Sequence, residues 1–227
     1  MILTTLILIA SAGFTATHEP ESTKLLIGRD YPIAFVSIEK KFWMSNTEID
    51  QDTWKTVMGS NPSKFKSKGD VLPVETVNYD DIMKFIDKLN KKYPDYIFRL
   101  PTNSEWEFAA NGGKKTRYFF GDKESELGVV AWFRDNSTTA KQDAKGNWYS
   151  DEKSGSTHGV GGKMANQFGL YDIHGNLWEF TQEGSIRGGC WWSTALDCST
   201  SYVSKWPKDT RCEFVGFRLV CQAKDKK

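Results

Sequence analysis

No cysteine occurs in the first 189 residues of this chain, and its four, Cys190, Cys198, Cys212 and Cys221, fall together near the C-terminus. A small secreted framework stapled by disulfides spreads its cysteines, and no Cys-X-X-Cys spacing offers a zinc site. The four are therefore read as free or partly buried thiols, with a Cys198–Cys212 bridge left open because only geometry decides it. Histidine is equally scarce. His18, His158 and His174 are the only three, and none stands three or four residues from another, the spacing that would bring two imidazoles to one metal. Neither a phosphate-binding glycine loop nor an activated-serine pattern is present. Charge of one sign is also lacking: 30 Lys and Arg against 29 Asp and Glu leave a net charge of +1, which removes the electrostatic case for a nucleic-acid partner. Repeats and heptads are absent.

No apolar run is long enough for a membrane span. The mostly apolar Met1–Phe14 is too short for one. With small residues at Ala12 and Ala16 it could serve as a secretory signal, but no basic residue precedes it. We read Leu6-Ile7-Leu8-Ile9 as a buried strand that leaves by a turn at Ala12-Gly13-Phe14.

What the chain does have is aromatic mass: nine Trp, eight Tyr and 14 Phe in 227 residues. This suits a single domain of residues 1–223 with a sizeable core and a solvated tail at 224–227. Aromatic mass also suits ligand recognition by stacking and shape. Ala34–Ile38 alternates as a strand, and Phe42-Trp43-Met44 is a second short apolar run. Asp50 is placed to cap a helix carrying Trp54, Val57 and Met58, which Gly59 stops. Ile82, Phe85, Ile86 and Leu89 keep helical spacing from about Asp80, and Pro94 ends that helix. Thr102 and Glu105 form a capping box, closed by Gly112-Gly113. Asn136 to Lys163 is polar and glycine-rich, a long loop with little regular structure. Beyond it short strands alternate with turns. Two or three helices, many short strands and long loops make an α+β domain.

Several motifs stand in a recognisable order: Met58-Gly59-Ser60-Asn61-Pro62-Ser63, Leu72-Pro73-Val74-Glu75, Arg99-Leu100-Pro101-Thr102 with Glu105-Trp106-Glu107, Gly169-Leu170-Tyr171-Asp172-Ile173-His174-Gly175-Asn176-Leu177-Trp178-Glu179-Phe180, Arg187-Gly188-Gly189 and Gly216-Phe217-Arg218. Together they resemble the formylglycine-generating-enzyme (sulfatase-modifying factor) family from about Leu8 to Val220. The resemblance implies a C-type-lectin-like single domain. The glycines at 188, 189 and 216 suit tight crossings. Trp106 and Trp178 read as core anchors, and Arg99, Arg187 and Arg218 as partners of Glu105, Glu107 or Glu179.

For activity the resemblance cuts both ways. The copper-dependent oxidases of the family use a cysteine pair after the Gly-Gly-Ser step. Here the second cysteine falls on Cys198 but the first falls on Ser193, whose hydroxyl is a poor ligand for soft Cu(I). Cys190 replaces the family serine, so a rearranged copper or thiol oxidase using Cys190 and Cys198 is the alternative reading. The ergothioneine-type relatives need a histidine iron site in an additional helical domain that is missing here. No copper and no catalytic residue are therefore expected. The turn holding Asp172, Asn176 and Glu179, with a carbonyl near His174, offers hard oxygen ligands. The resemblance makes it a structural Ca²⁺ site, while caps within the turn explain Asp172 and Asn176 equally well.

The segment from Trp191 to Phe214 lies between the Gly188-Gly189 and Gly216-Phe217-Arg218 anchors. It mixes aromatics and charges without helix or strand period, as a recognition surface does. It resembles the variable proteins of diversity-generating retroelements, whose frame is matched by Gly188-Gly189, Trp191, Cys198, Ser201-Tyr202, Pro207, Arg211 and Gly216-Phe217-Arg218. Cys190 and Val203 depart from that frame. Trp191 and Phe217 are expected in the core. The ligand-binding residues expected on this basis are Trp192, Thr194, Leu196, Tyr202, Lys205, Trp206, Lys208, Asp209, Glu213 and Phe214, with Arg211 adding charge at the rim. The partner would be a protein or a glycan on a surface, and a variable binding protein would itself stand on a cell or virion surface. A structural accessory role in a larger assembly is the third reading, and a cytoplasmic location would go with either of the other two.

Overall fold

The computed structural model describes residues 7–9, 24–27, 33–66, 71–137, 141–142, 148–149 and 155–224. The expected turn at Ala12-Gly13-Phe14 and the end of the tail lie outside them. Strands β1 (Ile7–Ile9), β2 (Lys24–Ile27), β3 (Ile33–Ile38) and β4 (Phe42–Ser45) open the chain. Helices α1 (Gln51–Met58) and α2 (Tyr79–Lys92) lead to β5 (Tyr96–Arg99) and helix α3 (Asn103–Asn111). After a short helical turn α4 (Arg134–Ser137) come β6 (Lys141–Gln142), β7 (Trp148–Tyr149), β8 (Trp178–Phe180) and β9 (Ser185–Arg187). β10 (Ser204–Lys205), β11 (Val215–Gly216) and β12 (Val220–Ala223) complete the chain. They form a six-stranded sheet ordered β1-β2-β3-β4-β12-β5, a four-stranded sheet ordered β10-β9-β8-β11, and the β6-β7 pair.

The helices begin where capping chemistry puts them. Asp50 accepts from the Thr53 N–H at 2.7 Å, and α1 ends on Gly59 at φ 88°. Thr102 and Glu105 form the expected reciprocal box, with Gly112 in the left-handed conformation at the C-terminal end. α2 starts slightly earlier than its apolar spacing suggests, because Asn78 and Asp81 make a second capping box. Its buried face is Ile82, Phe85, Ile86 and Leu89, the i, i+3, i+4, i+7 stripe of an amphipathic helix. The long loop expected over 136–163 begins one residue before α4 ends and contains the β6-β7 pair.

Two apolar clusters fill the interior. One joins α1 and α2 to Phe217, Leu219 and β8; there Trp54 stacks on Phe85 at 5.2 Å, and Phe217 stands edge-on to both. The other gathers Trp106, Tyr118, Phe119, Ile173, Ala195 and Cys198 around β3 and β4. Between them lies a fully buried ion pair. The Arg218 guanidinium donates through Nε and Nη2 to the Glu179 carboxylate at 2.6–2.8 Å, and the Trp106 indole N–H donates to the same carboxylate at 2.6 Å. The remaining guanidinium protons reach the Ser45 and Tyr171 carbonyls. The other two arginines pair as their sequence setting suggested, Arg99 with Glu105 and Arg187 with Glu107. Gly189, at φ 78°, is held to glycine by its neighbour: a Cβ there would stand 2.5 Å from the Cys198 sulfur.

Removing one partner of a buried pair leaves the other charged, desolvated and alone. Arg218→Met is expected to lower stability by about 3–5 kcal/mol, and adding Glu179→Gln to restore part of the loss. Urea denaturation of the two variants checks both, and an additive double loss would show that the charges do not depend on one another.

Candidate functional site

The conspicuous Gly169–Phe180 motif forms a buried turn. Asp172 and Asn176 both adopt left-handed backbone, at φ 51° and 59°, a conformation that short polar side chains tolerate. The Asp172 Oδ2 accepts from the Gly161 N–H at 2.6 Å, while its Oδ1 is buried without a partner. Asn176 ties the turn to the preceding loop: its Oδ1 accepts from the His158 N–H, and its Nδ2 donates to the His158 carbonyl and to Glu48. The three residues proposed as calcium ligands thus share one neighbourhood but not one role. Glu179 is held by Arg218 and Trp106, Asn176 by His158 and Glu48, and Asp172 alone keeps an oxygen to offer. Among the described residues, no group of three or more His, Cys, Asp or Glu side chains is placed to hold a metal ion.

Sequence spacing gave no sign of Glu48, which reaches this turn from 129 residues away to accept the Leu177 N–H. Burial, then the nearby Asp172 and Glu179 charges, push its carboxyl well above the usual range. Burial likewise raises Asp172 to about 6, against opposing contributions from the Gly161 N–H and Arg218. His174 is buried between Tyr118 and Phe119, with Nδ1 2.8 Å from the Cys198 carbonyl and Nε2 facing the Phe119 N–H. Burial lowers its pKa to about 4, so the ring is neutral at physiological pH.

All four cysteines are free thiols. Cys190 packs in the cluster built on α1 and α2, and Cys198 in the other. The Cys190 sulfur lies 3.4 Å from the Ser193 hydroxyl, which also accepts the Cys190 N–H. Burial pushes the Cys190 thiol up to about 12 and raises Cys198 as well. Thiolates are the form that binds Cu(I) and attacks electrophiles, and these two sites suppress them.

The Trp191–Phe214 segment is arranged around a few aromatic contacts. Trp191 and Phe217 are buried, as expected. Trp192 and Phe214 are half-buried against Trp191, at ring separations of 5.7 and 5.1 Å. Tyr202 leans on Trp178 at 5.8 Å, and Trp206 is half-buried on the same core. Leu196 is 58% exposed, and Lys205, Lys208 and Asp209 are exposed. Thr194 is half-buried, with its N–H and hydroxyl both donating to Asp197.

Several of the segment's charges also hold it down. Glu213 pairs with Lys64 at 2.6 Å, and Arg211 pairs with Asp81 at the start of α2. The Lys208 ammonium lies 4.2 Å from the Tyr79 ring centroid, and its carbonyl accepts the Tyr79 N–H. The Cys212 carbonyl accepts the Thr76 N–H. Phe65 meets Trp191 edge-on at 5.6 Å, its own N–H fixed by the buried Glu75 carboxylate. Lys64, Phe65, Tyr79 and Asp81 lie more than 100 residues upstream of the segment, and no local pattern in the sequence marks them.

Residues 3–223 match the family model of the sulfatase-modifying factor enzyme 1-like domain. The chain belongs to this family. The chaperone protein LppX of Paenibacillus barcinonensis is 31% identical, over 79% of this chain and 79% of its own length. The inactive C-alpha-formylglycine-generating enzyme 2 of Bos taurus is 37% identical over 55% of this chain and 44% of its own. Formylglycine-generating enzymes match over similar or shorter stretches, so the chain spans less than half the length of those relatives. Among solved structures, Treponema denticola variable protein 1 superimposes with a TM-score of 0.66 at 28% identity, covering 86% of this chain and 90% of that one. The family resemblance and the likeness to variable proteins read from the sequence both hold, as does the α+β, C-type-lectin-like fold.

At about pH 8 the native protein is expected to react slowly with a disulfide thiol reagent, Cys212 first because it alone is half-buried, with the other three released on unfolding. Rapid reaction of Cys190 or Cys198 in the native state would overturn the assignment of inert thiols.

Proposed function

We propose that this chain is a non-catalytic binding protein that takes a protein or glycan ligand on the surface formed by residues 191–214. One observation carries the proposal. Trp192, Tyr202, Trp206 and Phe214 are half-buried on a segment pinned to the scaffold through Lys64, Thr76, Tyr79 and Asp81. Half-buried aromatics on a rigid support are good binding anchors, because little side-chain freedom remains to be lost when the ligand docks. The likeness to variable protein 1 supports the same reading, and the burial that raises the Cys190 and Cys198 thiols weighs against a copper or thiol oxidase. The test uses the intact chain on arrays of random peptides and of glycans. Trp192→Ala and Trp206→Ala are each expected to weaken captured ligands about tenfold or more, the loss typical of a buried aromatic anchor. Circular dichroism and a melting curve confirm that each variant is folded. Unchanged binding in both variants, or oxygen consumption with a cysteine-containing peptide and Cu(I), would refute the proposal.

Calcium enters this reading through Asp172 alone. Its unpartnered oxygen is buried near the Glu48 and Glu179 carboxylates, with Arg218 and Lys163 as the neighbouring cations. A divalent cation there would relieve the excess negative charge and would favour such a hard oxygen. Calcium added to chelator-treated protein is expected to raise the melting temperature by mass action, and Asp172→Asn to abolish the rise. Identical melting with calcium and with chelator would exclude a cation from the turn.

A further inference from the structure

The partner chemistry of the proposed surface can be narrowed from which of its polar groups are already engaged. Residues 191–214 contain no Asn, Gln or His. Their three carboxylates are Asp197, Asp209 and Glu213. Asp197 is taken by the Thr194 N–H and hydroxyl, and Glu213 by Lys64, leaving only Asp209. The neighbouring Asn61 amide is also engaged, donating to Gln51 and accepting the Ser63 N–H. A sugar ring presents several hydroxyls that each need a donor or acceptor, and planar amides and carboxylates beside an aromatic face meet that need. This face has almost none to spare.

The cations divide differently. Arg211 and Lys64 are neutralised by Asp81 and Glu213. Among the described residues, Lys66, Lys205 and Lys208 have no carboxylate within ion-pair distance; Lys66 approaches only the Asn61 carbonyl, and Lys208 lies on the Tyr79 ring. Among the described residues, Lys205 and Lys208 of the segment are thus outside any ion pair, and Asp209 is the one carboxylate of residues 191–214 left without a partner. The same segment carries the half-buried Trp192 and Trp206 and the exposed Leu196 and Val203.

We infer that the partner is a protein segment that presents an apolar side chain flanked by carboxylates, the apolar group seating on the aromatics and the carboxylates on Lys205 and Lys208. This rests on the binding reading above and assigns it a ligand class. Charge complementarity carries it: an ammonium without a partner at a rim steers an acidic surface and rejects a basic one. Single-stranded nucleic acid would also meet lysines and aromatics, but it asks for a continuous cationic groove, which three lysines and a net charge of +1 do not make.

The experiment places the labelled intact chain on an array of random peptides, half with Asp and Glu as their only charged residues and half with Lys and Arg. A glycan array and an oligothymidylate are run alongside. Acidic peptides rich in Leu, Phe or Trp are expected to dominate the captured set. Lys205→Glu with Lys208→Gln is expected to weaken them about fivefold or more at low salt, the difference shrinking as salt is raised. Capture of basic and acidic peptides alike, no peptide capture, or tighter binding to glycan or oligothymidylate would overturn the assignment. Peptide capture that needs Trp206 but ignores charge would sink this inference while leaving the binding role intact. Capture indifferent to Trp192 and Trp206 would remove the binding role itself.

Discussion

The Arg218–Glu179 pair is the constraint on which the rest of the molecule depends. A guanidinium and a carboxylate fully removed from water survive only if every proton and lone pair finds a partner. Here the partners come from four separate parts of the chain: Trp106 on α3, Ser45 at the end of β4, Tyr171 in the long turn and Glu179 on β8. Satisfying the pair therefore fixes how the two apolar clusters meet. Geometry imposes the same choice on the glycines around it. Gly216 could not carry a side chain, because a Cβ would stand 2.7 Å from the Val74 carbonyl.

From that junction the C-terminal segment leaves and returns. Gly188 and Gly189 release it and Val215-Gly216 recovers it into the four-stranded sheet, so both ends are set by the core. Between them the chain makes little regular structure of its own. Its shape comes instead from contacts with α2 and the 61–66 loop, and Arg211 and Glu213 serve that attachment. A surface built this way can change its exposed side chains at small cost to the fold, because the groups that carry stability lie beneath it. The same division accounts for the inert cysteines. They are core residues behaving as small hydrophobes, and the chemistry that a relative could build from a thiolate pair is suppressed by burial.

The buried turn at Asp172–Glu179 illustrates how one sequence motif serves two purposes. As a local pattern it reads equally as a ligand loop or a capped turn. The fold assigns Asn176 to capping, through His158, and Glu179 to the central ion pair. It also adds Glu48, so three buried carboxylates share the reach of Arg218, with Lys163 near Asp172. Burial first, and the neighbouring carboxylates after it, raise the Asp172 and Glu48 pKa values, and both arise only because distant strands bring the groups together.

Local physics made much of this protein legible in one dimension. Capping residues at Asp50 and Thr102, the apolar stripe of α2 and the ordered glycine-arginine motifs are decided by backbone geometry and short-range periodicity, so they determined the helices and the family, and named the arginines and glutamates that would pair without saying which with which. Which charges would remain free for a partner was not legible. Arg211 and Glu213 look like ligand-facing charges in the sequence, and only their contacts with Asp81 and Lys64 show that they are anchors. Those contacts span more than 100 residues and carry no period. The reason is general: hydrogen bonding and capping act over a few residues, whereas charge pairing and burial depend on distances that exist only once the chain has folded.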